Sequence, residues 1–276
     1  MQVVSGQTEC IVFGFDSAWT DNPKAPGAIA ALGFDAAGQG VFHAPELVSF
    51  AQAAVYVHAR RVGYGLSLIA LDQPSVVPNA GGMRPAERVA ASVLSYTGGG
   101  VQPANRGKHR MFGDHAPLWR FLDSVEAWQE VALSRRAVTG HFLIEVFPAL
   151  ALAGLHEGFA ARLGAPKYNP QNRKTYRHAD WGAVCRVAAE AAARLVVPAL
   201  TTWFAQMAQM AAPGKGDQDR LDAALCVLIG LIWRAAPEGE ALCIGDARAG
   251  YIVTPVSAPV RARLAAAAAR LGVFLG

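Results

Sequence analysis

Five acidic residues stand in surroundings where an acid is costly. Asp16 closes the apolar run Cys10-Ile-Val-Phe-Gly-Phe-Asp16, and Asp72 closes Ser67-Leu-Ile-Ala-Leu-Asp72. Glu145 follows His141-Phe-Leu-Ile, and Asp219 and Asp222 open Asp219-Arg-Leu-Asp-Ala-Ala-Leu-Cys-Val-Leu-Ile. A short apolar run of this kind reads as a buried strand. A carboxylate at its end is expensive to bury unless something pairs with it. Three strand-borne acids and a helix-borne pair suggest a carboxylate cluster that holds divalent metal. Mg²⁺ and Mn²⁺ take oxygen ligands, so a few carboxylates suffice. Two such ions, about 3.5–4 Å apart, activate a water and stabilise the leaving oxygen in phosphodiester hydrolysis. Asp16, Asp72 and Asp222 are the expected metal ligands. All five acids are candidate catalytic residues, with Glu145 or Asp219 at the rim.

Each acid also has a competing role. Asp16 could cap the next turn with help from Ser17. Asp72 could bond loop amides before Pro74. Asp219 could act only on the helix dipole. Asp222 is harder to assign to structure alone, because Leu221, Ala223, Ala224 and Leu225 leave it no solvated face. Asp217 is the expected N-cap of that helix.

The elements that must carry these residues follow from pattern. Strands are expected at 10–16, 27–34, from 41 towards Phe50, at 67–72 and at 142–147. Residues 51–62 read as a helix with basic residues in its last turn and Gly63 beyond, good C-terminal chemistry. A helix is expected at 116–135, and a helical region, about 149–211, as three helices. A further helix is expected at 218–235, then a hairpin over 241–254 and a closing helix at 258–271. The stretch 73–114 carries prolines, Gly81-Gly82 and Gly98-Gly-Gly100, with a short helix near 84–95. Such a segment is usually functional or mobile, and here it is expected to form a mobile wall. This order predicts an α/β fold, ribonuclease H-like. Its mixed five-stranded sheet has three antiparallel and then parallel strands, flanked by helices, with extra C-terminal helices. The first and fourth strands then lie side by side, about 4.8 Å apart, which sets Asp16 beside Asp72. A late helix across that edge brings in Asp222 and, one turn away, Asp219. No linker is visible, so residues 1–276 are expected to form one domain.

At this point the chain resembles a known family. Gly14-Phe-Asp16-Ser-Ala-Trp19, Asp72-Gln-Pro74 with Gly82-Met-Arg84, Glu145-Val-Phe-Pro148, Lys167-Tyr168 and Asp219-Arg-Leu-Asp222-Ala resemble the domain of unknown function 429 family. Its members are described as predicted ribonuclease H-like nucleases. The Asp-x-x-Asp-Ala helix also resembles the final helix of Holliday-junction resolvases. The resemblance implies a metal-dependent nuclease that hydrolyses nucleic-acid phosphodiesters. The alternative is a nucleic-acid-binding or assembly protein on the same fold that has lost activity. An actin-like ATPase shares the core, but Ser17-Ala-Trp-Thr20 lacks the glycine-containing phosphate turn.

Candidate phosphate contacts are Arg84, Arg106, Lys108, Arg110 and Lys167, and Tyr168 could stack on a base. Trp19 is expected in the core. The composition excludes other classes. The 276 residues are 53% hydrophobic with a net charge of +4. No run reaches the roughly 18 apolar residues of a membrane span, and no secretory signal pattern is present. Four scattered cysteines read as small hydrophobes in a reducing cytoplasm. No P-loop is present. The oligomeric state stays open, a homodimer included.

Overall fold

In a computed structural model of the chain, residues 9–276 are described. The first eight residues, part of the domain expected over 1–276, lie outside the described residues. Strand β1 (Cys10–Asp16) pairs antiparallel with β2 (Gly27–Phe34), and β2 pairs antiparallel with β3 (Gly40–Val48). Helix α1 (Phe50–Arg61) starts at a capping box in which Ser49 and Gln52 satisfy each other's backbone N–H groups. It leads to β4 (Leu66–Asp72), parallel to β1, and β5 (Gly140–Glu145) then lies parallel to β4. The sheet order β3-β2-β1-β4-β5 is the mixed ribonuclease H-like plan that the element order predicts.

Apart from Ser67 and the terminal acids, the central strands β1, β2 and β4 are apolar because both faces are covered. On one face Ile11, Phe13 and Phe15 meet Phe50 and Tyr56 of α1 and Leu118 and Phe121 of α4 (Pro117–Val125). The opposite face carries Val12, Leu68 and Ala70. It is covered by α8 (His178–Arg194), α9 (Pro198–Met207) and α10 (Lys215–Ala235). A third cluster joins α2 (Pro85–Thr97), α6 (Pro148–Leu155), the hairpin β6 (Ala241–Asp246) and β7 (Gly250–Pro255), and α11 (Ala258–Leu271). A bridge from Val146 to Val253 ties the hairpin to the end of β5. Among the described residues no helix is long and apolar enough to cross a membrane. The four cysteines are free and buried.

Three expectations need correction. The helix expected over 116–135 is two helices, α4 and α5 (Val131–Arg136). Glu126 turns left-handed at φ 50°, and Trp128 bridges to Phe142 beside β5. Sheet pairing outweighs local helical pattern there. The first expected helix after β5 breaks at His156, whose extended backbone separates α6 from α7 (Glu157–Ala160). Gly214, not Asp217, is the N-cap of α10; Asp217 accepts from the Gly214 N–H at 2.8 Å from three residues inside.

The segment 73–114 is stitched rather than free. It contains α2 and the short α3 (His109–Phe112). Asn79 donates to the carbonyls of Gly81, Gly82 and Ala104. Arg106 and Gly107 N–H groups return to the carbonyls of Asn79 and Ala80. The expected mobile wall is therefore a hydrogen-bonded structure in its own right.

A candidate carboxylate site at the ends of β1 and β4

Parallel pairing sets Asp16 directly beside Asp72. In-register neighbours project to the same face, here the one α10 covers. Helix α10 runs antiparallel to β1. Its Ala223 and Val227 backbones press on Gly14, and its Gly230 presses on Val12. Going back towards the helix start from Ala223 therefore carries Asp222 and Asp219 past the ends of β1 and β4. Four carboxylates from three elements meet there. Asp16, Asp219 and Asp222 are at least nine-tenths buried and Asp72 is half-buried.

The partners of the two pairs differ. Asp222 accepts from the Tyr168 hydroxyl at 2.8 Å and from the Gln218 side-chain amide. Asp219 accepts from the Lys215 ammonium, which also donates to Gln218 Oε1 at 2.6 Å. Neither the Asp16 nor the Asp72 carboxylate has a hydrogen-bond donor among the described residues. The turn-capping role considered for Asp16 and the loop-amide role considered for Asp72 are thus not filled. Ser17 instead donates to Gln73, tying the loops after β1 and β4 together.

The electrostatics follow from burial and like charge. Burial pushes the Asp16 carboxyl well above its usual range, and Asp222, Asp72 and Asp219 push it further. Asp72 rises for the same reason, with Asp222 and Glu145 adding. Burial lifts Asp222 to about 6, against Tyr168, Lys215 and Gln218, which favour its charged form. Lys215 is raised: burial opposes its charge, but the surrounding carboxylates outweigh burial.

Glu145 and Arg84 form a second buried centre. Arg84 donates to Glu145 through both terminal nitrogens, at 2.8 and 2.5 Å, and to Glu87 through Nε at 2.8 Å. Glu145 also accepts from the Ser75 N–H at 3.1 Å, and Glu87 from the Ala104 N–H at 3.0 Å. Arg84 is 1% exposed. Its guanidinium is an internal counter-ion, so the expected phosphate contact is corrected. Glu145 is likewise occupied by Arg84, although it remains close enough to raise Asp72. A cavity of about 480 Å³ opens between the two centres, lined by Asp72, Glu145, Lys215, Trp19, Met111 and Phe147 among others. Trp19 both packs on Phe112 and faces this cavity.

The remaining expected contacts are dispersed. Arg106 pairs with Asp114 and lies over the Trp119 ring. Lys167 donates to the Gly98 carbonyl at 2.6 Å. Tyr168 is committed to Asp222 through its hydroxyl. Lys108 and Arg110 sit at the start of α3, next to the cavity-lining Met111. Lys215, Gln218 and Glu87 were not foreseen. Lys215 had one signal in the sequence: it lies four residues before Asp219, within one helical turn.

The donor set suits Mg²⁺ or Mn²⁺: all oxygen, anionic, and buried without compensating donors at Asp16 and Asp72. With the side chains as they stand, no group of three or more His, Cys, Asp or Glu among the described residues is arranged to hold a metal ion. Asp219 and Asp222 are turned to Lys215, Gln218 and Tyr168 instead.

Fold and site together define an α/β protein of ribonuclease H-like plan with a buried carboxylate cluster at its strand ends. The family described as "Protein of unknown function (DUF429)" matches residues 14–249, and the chain belongs to it. No curated protein and no solved structure matches the chain.

Proposed function

We propose that this protein is a divalent-metal-dependent nuclease that hydrolyses nucleic-acid phosphodiesters at the ends of β1 and β4. One observation carries this reading: the buried Asp16 carboxylate and its register partner Asp72 have no hydrogen-bond donor among the described residues, and burial, then the neighbouring acids, drives each of them up. A cation is what such a pair lacks. Asp16, Asp72 and Asp222 would hold Mg²⁺ or Mn²⁺. When bound, the metal supplies an activated water and charge neutralisation at the phosphate.

The protein's own groups do the rest. Tyr168 and Gln218 fix the Asp222 carboxylate, as outer-shell partners fix metal ligands. The Arg84–Glu145–Glu87 centre holds the opposite wall and keeps its own charges paired. The cavity is the size of a small-ligand site.

A second reading is favoured by the hydrogen bonds already made by Asp219 and Asp222: a protein that binds nucleic acid on this fold without cleaving it. Single-stranded, duplex, hybrid and junction substrates, assayed with Mn²⁺ on wild type and Asp16→Asn, separate the two. The nuclease reading expects slow Mn²⁺-dependent cleavage, abolished in Asp16→Asn with nucleic-acid binding retained. Binding without cleavage in the wild type would favour the second reading. Cleavage that persists in Asp16→Asn would show a contaminant.

A further inference from the structure

Among the described residues, Lys215 is the one basic side chain that reaches the carboxylate cluster, and the proposed chemistry gives it no task. It is the first residue of α10, beyond the N-cap Gly214. An exposed lysine one turn from an aspartate would be an ordinary, weak helix pair. This one differs in three respects. Its partner Asp219 is buried. Its ammonium also engages Gln218 Oε1, the residue whose amide holds Asp222. It lines the cavity beside Asp72. An ammonium has three donors. Asp219 and Gln218 take two, leaving one for an oxygen in the cavity.

The charge arrangement decides its role. Among the described residues, four carboxylates surround a site with one covalently fixed cation. Asp16 and Asp72 are open to a metal, whereas Asp219 already has its positive partner. A two-ion site needs carboxylate oxygens on both sides. Here the Asp219 side is filled by the lysine.

We propose that the Lys215 ammonium is a resident cation of this site, standing where a second divalent ion would otherwise bind, so that the cluster takes up one divalent ion per chain. The inference rests on the metal-dependent reading above and revises its expected two ions to one. Lys215 then offers its remaining N–H to a phosphate oxygen of the bound strand. Its contribution is electrostatic and requires no proton transfer.

The test is a count of bound ions on the full chain. Mn²⁺ binding is measured by titration calorimetry and by electron paramagnetic resonance, without nucleic acid. The wild type is expected to bind one Mn²⁺, Lys215→Arg one, and Lys215→Gln two. Asp16→Asn is expected to lose the wild-type ion. Two ions in the wild type would overturn the proposal, and so would a single ion in a folded Lys215→Gln. Both outcomes leave the metal-dependent reading standing. No Mn²⁺ binding to the wild type at millimolar concentration would overturn both. If Lys215→Gln loses its cooperative melting transition, Lys215→Met takes its place in the count. The wild-type count alone still overturns the proposal if it is two.

Discussion

At the residue scale, Asp222 ties the site to stability. Its carboxyl is raised from 3.8 to about 6 in the folded chain. Between those values the folded state binds more protons than the unfolded one, so stability falls as pH rises through the window. Asp16 and Asp72 shift in the same direction. The metal-free protein should therefore gain stability from these groups as pH drops from 7 towards 4, the reverse of an ion-paired aspartate. That shift makes Asp222 a net cost to stability at neutral pH, shared with the acids it is coupled to. Asp222→Asn should raise the melting temperature in a chelator at pH 7.5, by somewhat less because an acceptor for Gln218 or Tyr168 is lost. The gain should vanish near pH 4, and millimolar Mn²⁺ should raise the wild type more than the variant. Melting curves at several pH values measure all three, and equal Mn²⁺ shifts would place the ion elsewhere. The acids were legible in the sequence because an aspartate at the end of an apolar strand is costly to bury without a partner. Arg84 and Lys215 were not. Arg84 reads as a phosphate contact and Lys215, in Gly-Lys-Gly, as a solvated charge, and Glu145 lies 61 residues from the arginine it neutralises.

At the element scale, the site depends on how closely α10 approaches β1. A Cβ at Gly14 would stand 2.1 Å from the Ala223 carbonyl oxygen and 2.4 Å from the Val227 nitrogen. Both are helix backbone and cannot yield by a rotamer change. Gly14→Ala must push α10 off the sheet at the turn below Asp219 and Asp222. Overpacking of this kind costs about 1–3 kcal/mol or more. The Mn²⁺ stabilisation should weaken in parallel, because the helix carries two of the four acids. Gly230→Ala is the comparison: its nearest obstacle is the Val12 side chain at 2.8 Å, further from the acids. It should cost stability with the metal response kept. Denaturant unfolding with and without Mn²⁺ reads both, and an unperturbed Gly14→Ala would refute this packing account. Strands and long helices were legible because their apolar patterns are continuous, as in β2 over 27–34. The break between α4 and α5 was not. Pro117–Arg136 keeps a helical pattern, and only the edge of β5, distant in sequence, draws Trp128 out of it.

At the scale of the whole molecule, the question is which charges remain for a polyanion. The net charge of +4 is mild, and much of the basic inventory near the cavity is already spent. Arg84 is locked to Glu145 and Glu87, Arg106 to Asp114, Lys215 to Asp219, and Lys167 to a carbonyl. Lys108 and Arg110 have no ion-pair partner among the described residues. They ride on α3, whose Met111 borders the cavity. The hydrogen bonds that stitch 73–114 hold that helix in place, so these two cations are presented on a fixed wall. On the nucleic-acid reading they carry the phosphate contacts. Each neutralised phosphate of a single strand contributes about −0.7 to the slope of log affinity against log salt. Lys108→Gln with Arg110→Gln should therefore flatten that slope by about 1.4 and weaken binding of all sequences alike. The Mn²⁺ affinity of the same variant should match the wild type, because neither residue touches the carboxylates. Fluorescence anisotropy on a labelled single strand across a salt series, paired with Mn²⁺ titration, separates the two effects. An unchanged slope would remove this wall from the binding surface. A loss of Mn²⁺ affinity would mean that α3 supports the acids themselves.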